Sequence, residues 1–121
     1  IGTRFAASEE SSCHANFKKK ITEINEGDTM LSMKQLVPVR LVKNKFFNDV
    51  MAAELRGATA EELKQLLGRA RAKKGMFEGD LDEGELEIGQ VSALIKHIKP
   101  VAEIVRELLA EFETARKELL K

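Results

Sequence analysis

The chain holds two histidines and one cysteine, so the search for a metal site or a thiol nucleophile is short. Cys13 and His14 are neighbours in sequence, and adjacent side chains on a helix diverge, which argues against a Cys/His catalytic pair. His97 stands between Lys96 and Lys99 and reads as a solvated residue near a helix end. No CxxC, HExxH or GxSxG pattern is present, so no catalytic residue and no metal ligand is assigned. Six of the ten residues from Glu78 to Glu87 are acidic, but Gly84 and Glu85 stand at the wrong positions for a calcium loop. That run reads as a solvated acidic loop. Arg69, Arg71, Lys73 and Lys74 cluster where they favour a helix C-terminus. RNA binding would want aromatic platforms beside them, and the chain has no Trp or Tyr.

Two stretches are left that neither core packing nor solvation explains. Gly2-Thr3 reads as a strand end where a glycine lets backbone approach a phosphate and a threonine adds a hydroxyl and an N–H. Gly84-Glu85-Leu86-Glu87-Ile88-Gly89-Gln90 is a glycine-bracketed loop leading into an apolar segment. The Gln90 amide there either contacts a ligand or caps a helix.

The elements that must position these residues are mainly helical. Ile1 to Ser8 reads as the tail of a strand and a turn, and a lone strand needs a partner sheet to satisfy its backbone. A helix is predicted over 9–25, with Ser8 as N-cap and Phe17, Ile21 and Ile24 on one face. Residues 29–43 are β-rich around Pro38, which predicts short or edge strands. Helix returns at Asn44, with Phe46, Phe47, Val50, Met51 and Leu55 as its apolar stripe and Gly57 as its stop. Thr59 and Glu62 form a capping box before Leu63, Leu66, Leu67 and Ala70. Residues 75–90 are loop-rich, and a short helix is expected over 91–96. Pro100 suits the first turn of a last helix lined by Val101, Ile104, Val105, Leu108, Leu109, Phe112 and Leu119.

Composition sets the outer bounds. Leu, Ile, Val and Phe make 34 of the 121 residues, which places the chain among folded domains. Twenty basic residues balance twenty acidic ones, so there is no sequence-wide electrostatic grip on nucleic acid or an anionic membrane. One cysteine excludes an internal disulfide framework and fits a reducing compartment. No apolar run approaches the roughly 20 residues of a membrane helix. A soluble, cytoplasmic protein is expected. Ile1 is not an initiator methionine, and with a strand predicted from the first residue the chain reads as one end of a longer polypeptide.

Taken in order, Gly2-Thr3-Arg4-Phe5, Ser8-Glu9-Glu10-Ser11, His14 and Phe17-Lys18 resemble the final barrel strand and following helix of flavin-dependent nitronate monooxygenases and the related enoyl-[acyl-carrier-protein] reductases II. Gly79-Asp80, Gly89-Gln90 with Leu94-Ile95, and Ile98-Lys99-Pro100 resemble the same family's C-terminal third. The resemblance implies strand eight, an inserted subdomain and helix eight of a (β/α)₈ TIM barrel, with boundaries at 1–25, 26–96 and 97–121. It implies FMN as cofactor, with Gly2 and Thr3 on its phosphate, and NAD(P)H as a co-substrate if the reaction is enoyl reduction. It also implies that Gly89 and Gln90 lie on the loop over flavin and substrate. Glu87 is expected in the substrate pocket on the same loop over the flavin face, at a position where the reductases tend to carry methionine, so the substrate class, acyl thioester or small nitronate, stays open. The family's catalytic histidine comes from earlier strands and is not transferred to His14 or His97. The implied partners are the remainder of the barrel chain and, in the oligomer, a second copy as a homodimer. The competing reading is a free-standing helical interaction module without catalysis.

Overall fold

A computed structural model describes all 121 residues, Ile1–Lys121. The chain is mainly helical, with one two-stranded antiparallel sheet. In order run α1 (Gly2–Ala6), α2 (Ala15–Glu23), β1 (Thr29–Ser32), β2 (Val39–Val42), α3 (Lys45–Leu55), α4 (Ala60–Leu67) and α5 (Arg71–Met76). A 3₁₀ helix (Gln90–Leu94) and the long α6 (Val101–Leu119) complete it. No helix is long and apolar enough to cross a membrane.

The strands pair Thr29 with Val42 and Ser32 with Val39, and successive side chains of β2 therefore face opposite ways. Leu41 enters a core with Met33, Phe46, Phe47, Val50, Ala53, Ala58 and Leu63. Val42 enters a second core with Ala7, Phe17, Ile21, Ile24, Leu86, Ile88 and Ile95. The extended segment at 85–88 runs beside β2: Val42 N–H donates to the Leu86 carbonyl at 3.0 Å, and Leu41 bridges Glu87. Leu86 and Ile88 point into the second core, which turns Glu85 and Glu87 to the other face.

Local signals account for the middle of the chain. Asn44 caps α3 by accepting from Phe47 N–H at 2.9 Å. Thr59 and Glu62 exchange both capping-box bonds, at 3.2 and 2.7 Å. Glycines order the acidic stretch that follows. A Cβ on Gly84 would lie 2.4 Å from both the Gly75 Cα and the Asp80 carbonyl oxygen, so two backbones cross where no side chain fits. Asp80 folds this loop by accepting from the N–H groups of Glu83 and Asp82, and the Glu83 bond leads in holding its carboxyl below the ordinary range.

The opening segment differs from the strand the sequence predicts. Gly2–Ala6 is helical, with Arg4 N–H donating to Ile1 at 3.1 Å and Ala7 N–H to Thr3 at 3.1 Å. Arg and Ala are good helix formers, and the Arg4 guanidinium ties the turn down by donating to the carbonyls of Ala7 and His97. Extended pairing moves to Ser8, which bridges Lys99 in parallel. That pairing also shortens the next helix. Glu9 N–H donates to Lys99, and the Glu10 carboxylate accepts from Val101 N–H at 2.9 Å, so both are spent on docking the start of α6. Helix α2 therefore begins at Ala15, and His14, not Ser8, is its N-cap, its Nδ1 accepting from Asn16 N–H at 3.1 Å. Pro100 is likewise the N-cap of α6 and not a residue of its first turn. The helix expected over 91–96 is the 3₁₀ helix that starts at Gln90. On α6 only Ile104 is buried, while Leu109 and Phe112 are 61% and 62% exposed, so its apolar stripe has no cover within this chain.

Candidate functional site

Thr3 and Gly89 are 86 positions apart in sequence and meet directly: the Gly89 N–H donates to Thr3 Oγ1 at 3.0 Å. A side chain at Gly89 would press its Cβ to 3.2 Å from that oxygen, so glycine lets the two backbones close. Ser92 Oγ donates to the Gly89 carbonyl at 2.6 Å and fixes the peptide from its other side. The Thr3 hydroxyl accepts here, which leaves its own hydrogen free to donate elsewhere. The N–H groups of Gly2 and Thr3 precede every carbonyl they could reach along α1 and have no partner in the helix. A Cβ on Gly2 would meet nothing within 4 Å, so this turn looks onto open space.

Thr3, Arg4, Gly89, Gln90, Ser92 and Lys96 lie along a cleft of about 720 Å³ that runs on to α6. Its floor is Ile95 and Ile104. Arg4 keeps a buried Nε–H with no acceptor. At the far end Lys99 bonds Glu107 and lies 3.3 Å from Glu103. The Glu107 contact raises the Lys99 ammonium above its ordinary value and lowers Glu107 below its own. The cleft thus presents hydrogen-bond donors at one end and, at the other, an ion cluster of one lysine and two carboxylates. Cys13 is half-buried against the second core, and nothing pairs it with His14 for chemistry.

Glu87 is placed elsewhere. It is exposed and faces a second hollow of about 720 Å³, between the 33–39 loop and α4, together with Glu85 and Lys64. Glu85 is 7% exposed. Burial, with the charge and the hydrogen bond of Glu87 adding to it, raises its carboxyl from 4.5 to about 7, against a smaller opposing pull from Arg71.

A family model described as nitronate monooxygenase matches residues 1–111. The chain belongs to the nitronate monooxygenase family. Its structure is similar to that of FabK from Thermotoga maritima, with a TM-score of 0.86 and 31% identity over 97% of this chain. A point mutant of the same FabK gives a TM-score of 0.77 at 30% identity over 97% of this chain. The chain covers 37% and 34% of those two proteins, about a third of their length.

In this family member three working residues escaped the sequence reading. His14 caps α2 and packs so close beneath Gly79 that a Cβ there would sit 2.3 Å from its Nδ1. Arg71, read as one of a helix-end cluster, is a structural clamp. It donates to the carbonyls of Leu66, Leu67 and Glu83, pairs with the Glu83 carboxylate at 3.3 Å, and lies 4.6 Å from the Phe46 ring centroid. Glu85 reads from the sequence as one of the solvated acids of its loop, and the structure buries it. The alternation Glu85-Leu86-Glu87-Ile88 was the available signal that its face needed naming.

Proposed function

We propose that this chain is the C-terminal part of an FMN-dependent oxidoreductase built on a (β/α)₈ barrel, in which Gly2 and Thr3 hold the flavin phosphate. The observation that carries the reading is the Gly89 N–H to Thr3 Oγ1 bond, which joins the first turn of α1, with its partnerless N–H groups, to the 84–90 loop on the wall of one cleft. The donor set fits the group: a phosphate dianion takes several hydrogen bonds, and N–H groups without internal partners supply them at no cost in broken bonds. Barrels bind phosphate in their last loops, which agrees with this placement. When bound, the flavin supplies the electron chemistry, and the protein orients it and excludes side reactions.

In this reading Thr3 accepts from Gly89 and donates to a phosphate oxygen, so it ties the 84–90 loop to the cofactor. Gln90 stands at the exposed start of the 3₁₀ helix, where its amide is free to meet substrate. The uncovered Leu109 and Phe112 face of α6 is the surface that the remainder of the barrel would cover. Reduction of an enoyl thioester with NAD(P)H and oxidation of a nitronate are both reactions of this class.

The test is flavin retention in the intact protein. Wild type should purify with FMN, read from its visible absorbance. Thr3→Val, which keeps the shape and loses the hydroxyl, should weaken FMN affinity about tenfold or more, the size of one charge-assisted hydrogen bond. Equal affinity in the two proteins refutes the role of Thr3, and an intact protein that neither carries nor takes up FMN refutes the oxidoreductase reading.

A further inference from the structure

We infer that Arg4 is the charge by which the cleft selects the phosphorylated flavin, FMN, over riboflavin, acting as a fixed cation beside Thr3. The inference rests on the flavin reading above and adds a residue to it. Arg4 follows Thr3 directly on α1, and both line the cleft. It is half-buried, and a guanidinium stays charged at any pH the protein meets. None of the chain's ion pairs includes it. Its bonds go to two neutral carbonyls, Ala7 at 3.3 Å and His97 at 2.9 Å, both through Nη2. Nε–H is buried without an acceptor, and Nη1 has no partner in the chain. A cation drawn out of water without an opposite charge is costly, and an anion that arrives beside it relieves that cost.

The other cations of the cleft are accounted for. Lys99 is taken by Glu107 and Glu103. Lys96 stands exposed, and its ammonium turns to the Ile24 carbonyl at 3.5 Å. Arg4 is therefore the half-buried cation of this cleft that no carboxylate neutralises. Its field reaches across the space: behind the Lys99 contact, it adds to the lowering of the Glu107 carboxyl.

The two carbonyl bonds matter as much as the charge. They fix the guanidinium between α1 and the segment before α6, so its position is set by folding and not by the ligand. FMN and riboflavin share the ring and the ribityl chain and differ only in the phosphate. A fixed positive field separates the two, whereas the shape of the cleft treats their common parts alike.

The experiment titrates the flavin-free intact protein with FMN and with riboflavin, read by quenching of flavin fluorescence. Wild type should bind FMN more tightly than riboflavin. Arg4→Gln should lose about tenfold or more in FMN affinity and hold its riboflavin affinity within about twofold. Arg4→Lys, which keeps a charge and gives up the planar fork, should recover part of the preference for FMN. Added salt should weaken FMN binding less in Arg4→Gln than in wild type, because the variant has lost a charge. Equal losses for both flavins in Arg4→Gln would reduce Arg4 to a tie between α1 and the 97–99 segment and overturn the inference. A preference for FMN that survives Arg4→Gln would overturn it too, while leaving the flavin reading intact. A wild type that takes up neither flavin would refute that reading and this inference with it.

Discussion

Glu85 makes folding stability depend on pH in a direction opposite to the usual carboxylate. Its folded-state carboxyl is raised from 4.5 to about 7, by burial first and by Glu87 second, so the native state holds a proton that the unfolded chain gives up. Stability from this group is complete below about pH 4.5 and is lost as pH rises through about 7. At about 1.36 kcal/mol per tenfold change in proton affinity, that interval is worth roughly 3 kcal/mol, and some 2–3 kcal/mol of it falls between pH 5 and 8. Glu85→Gln keeps the shape and removes the titration. Urea unfolding of both proteins at half-unit steps from pH 5 to 8.5 isolates the group, because all other titrations cancel in the difference. The variant should gain on wild type as pH rises through about 7 and level off above it, by about 2–3 kcal/mol in all. The groups that face Glu85 are Glu87, Arg71 and Lys64, and Arg71 opposes the effect only weakly. A difference flat with pH, or one that falls, would refute the argument. So would a carboxyl carbon resonance for Glu85 that titrates near 4.5.

Gly84→Ala should be among the most damaging single-methyl additions in the chain, costing on the order of 3 kcal/mol, because backbone lies 2.4 Å from the new Cβ on two sides and cannot step back as a side chain would. Thermal unfolding checks it, and a loss under about 1 kcal/mol would show that the Gly75 crossing can open. Thr59→Ala should cost about 1 kcal/mol by removing the side-chain half of the α4 capping box, with exchange protection lost at Glu62 N–H first.

What could be read from the sequence was whatever a few consecutive residues decide. The Thr59–Glu62 box, the Asn44 start of α3 and the hairpin around Pro38 depend on neighbours within a turn or two, and each is present. The opening segment depends on something far away. Ser8, Glu9 and Glu10 look like a helix start, but Lys99 and Val101 claim them, and no local pattern reveals a partner about ninety residues on. The site divides in the same way. Gly2, Thr3, Gly89 and Gln90 could be singled out as glycine-linked polar positions, but the bond that joins Thr3 to Gly89 is a fact of tertiary packing. The acidic run shows the opposite failure. Its composition reads as a solvated loop, and composition cannot say that Leu86 and Ile88 anchor it so deeply that Glu85 goes in with them.

Strand β2 stands as a party wall, with Leu41 on one side and Val42 on the other. A single-residue insertion or deletion inside 39–42 would turn both rooms inside out together, since every side chain would change faces. Neighbouring lineages are therefore free to vary in length at the 33–38 bend, where the chain already leaves its ladder, but not within the wall. The segment at 85–88 is bonded along the same wall, and it carries an acid toward one room and an aliphatic toward the other. Changes that reshape the carboxylate hollow will thus be felt at Gly89 and Thr3, and the two halves of this chain are bound to evolve in step.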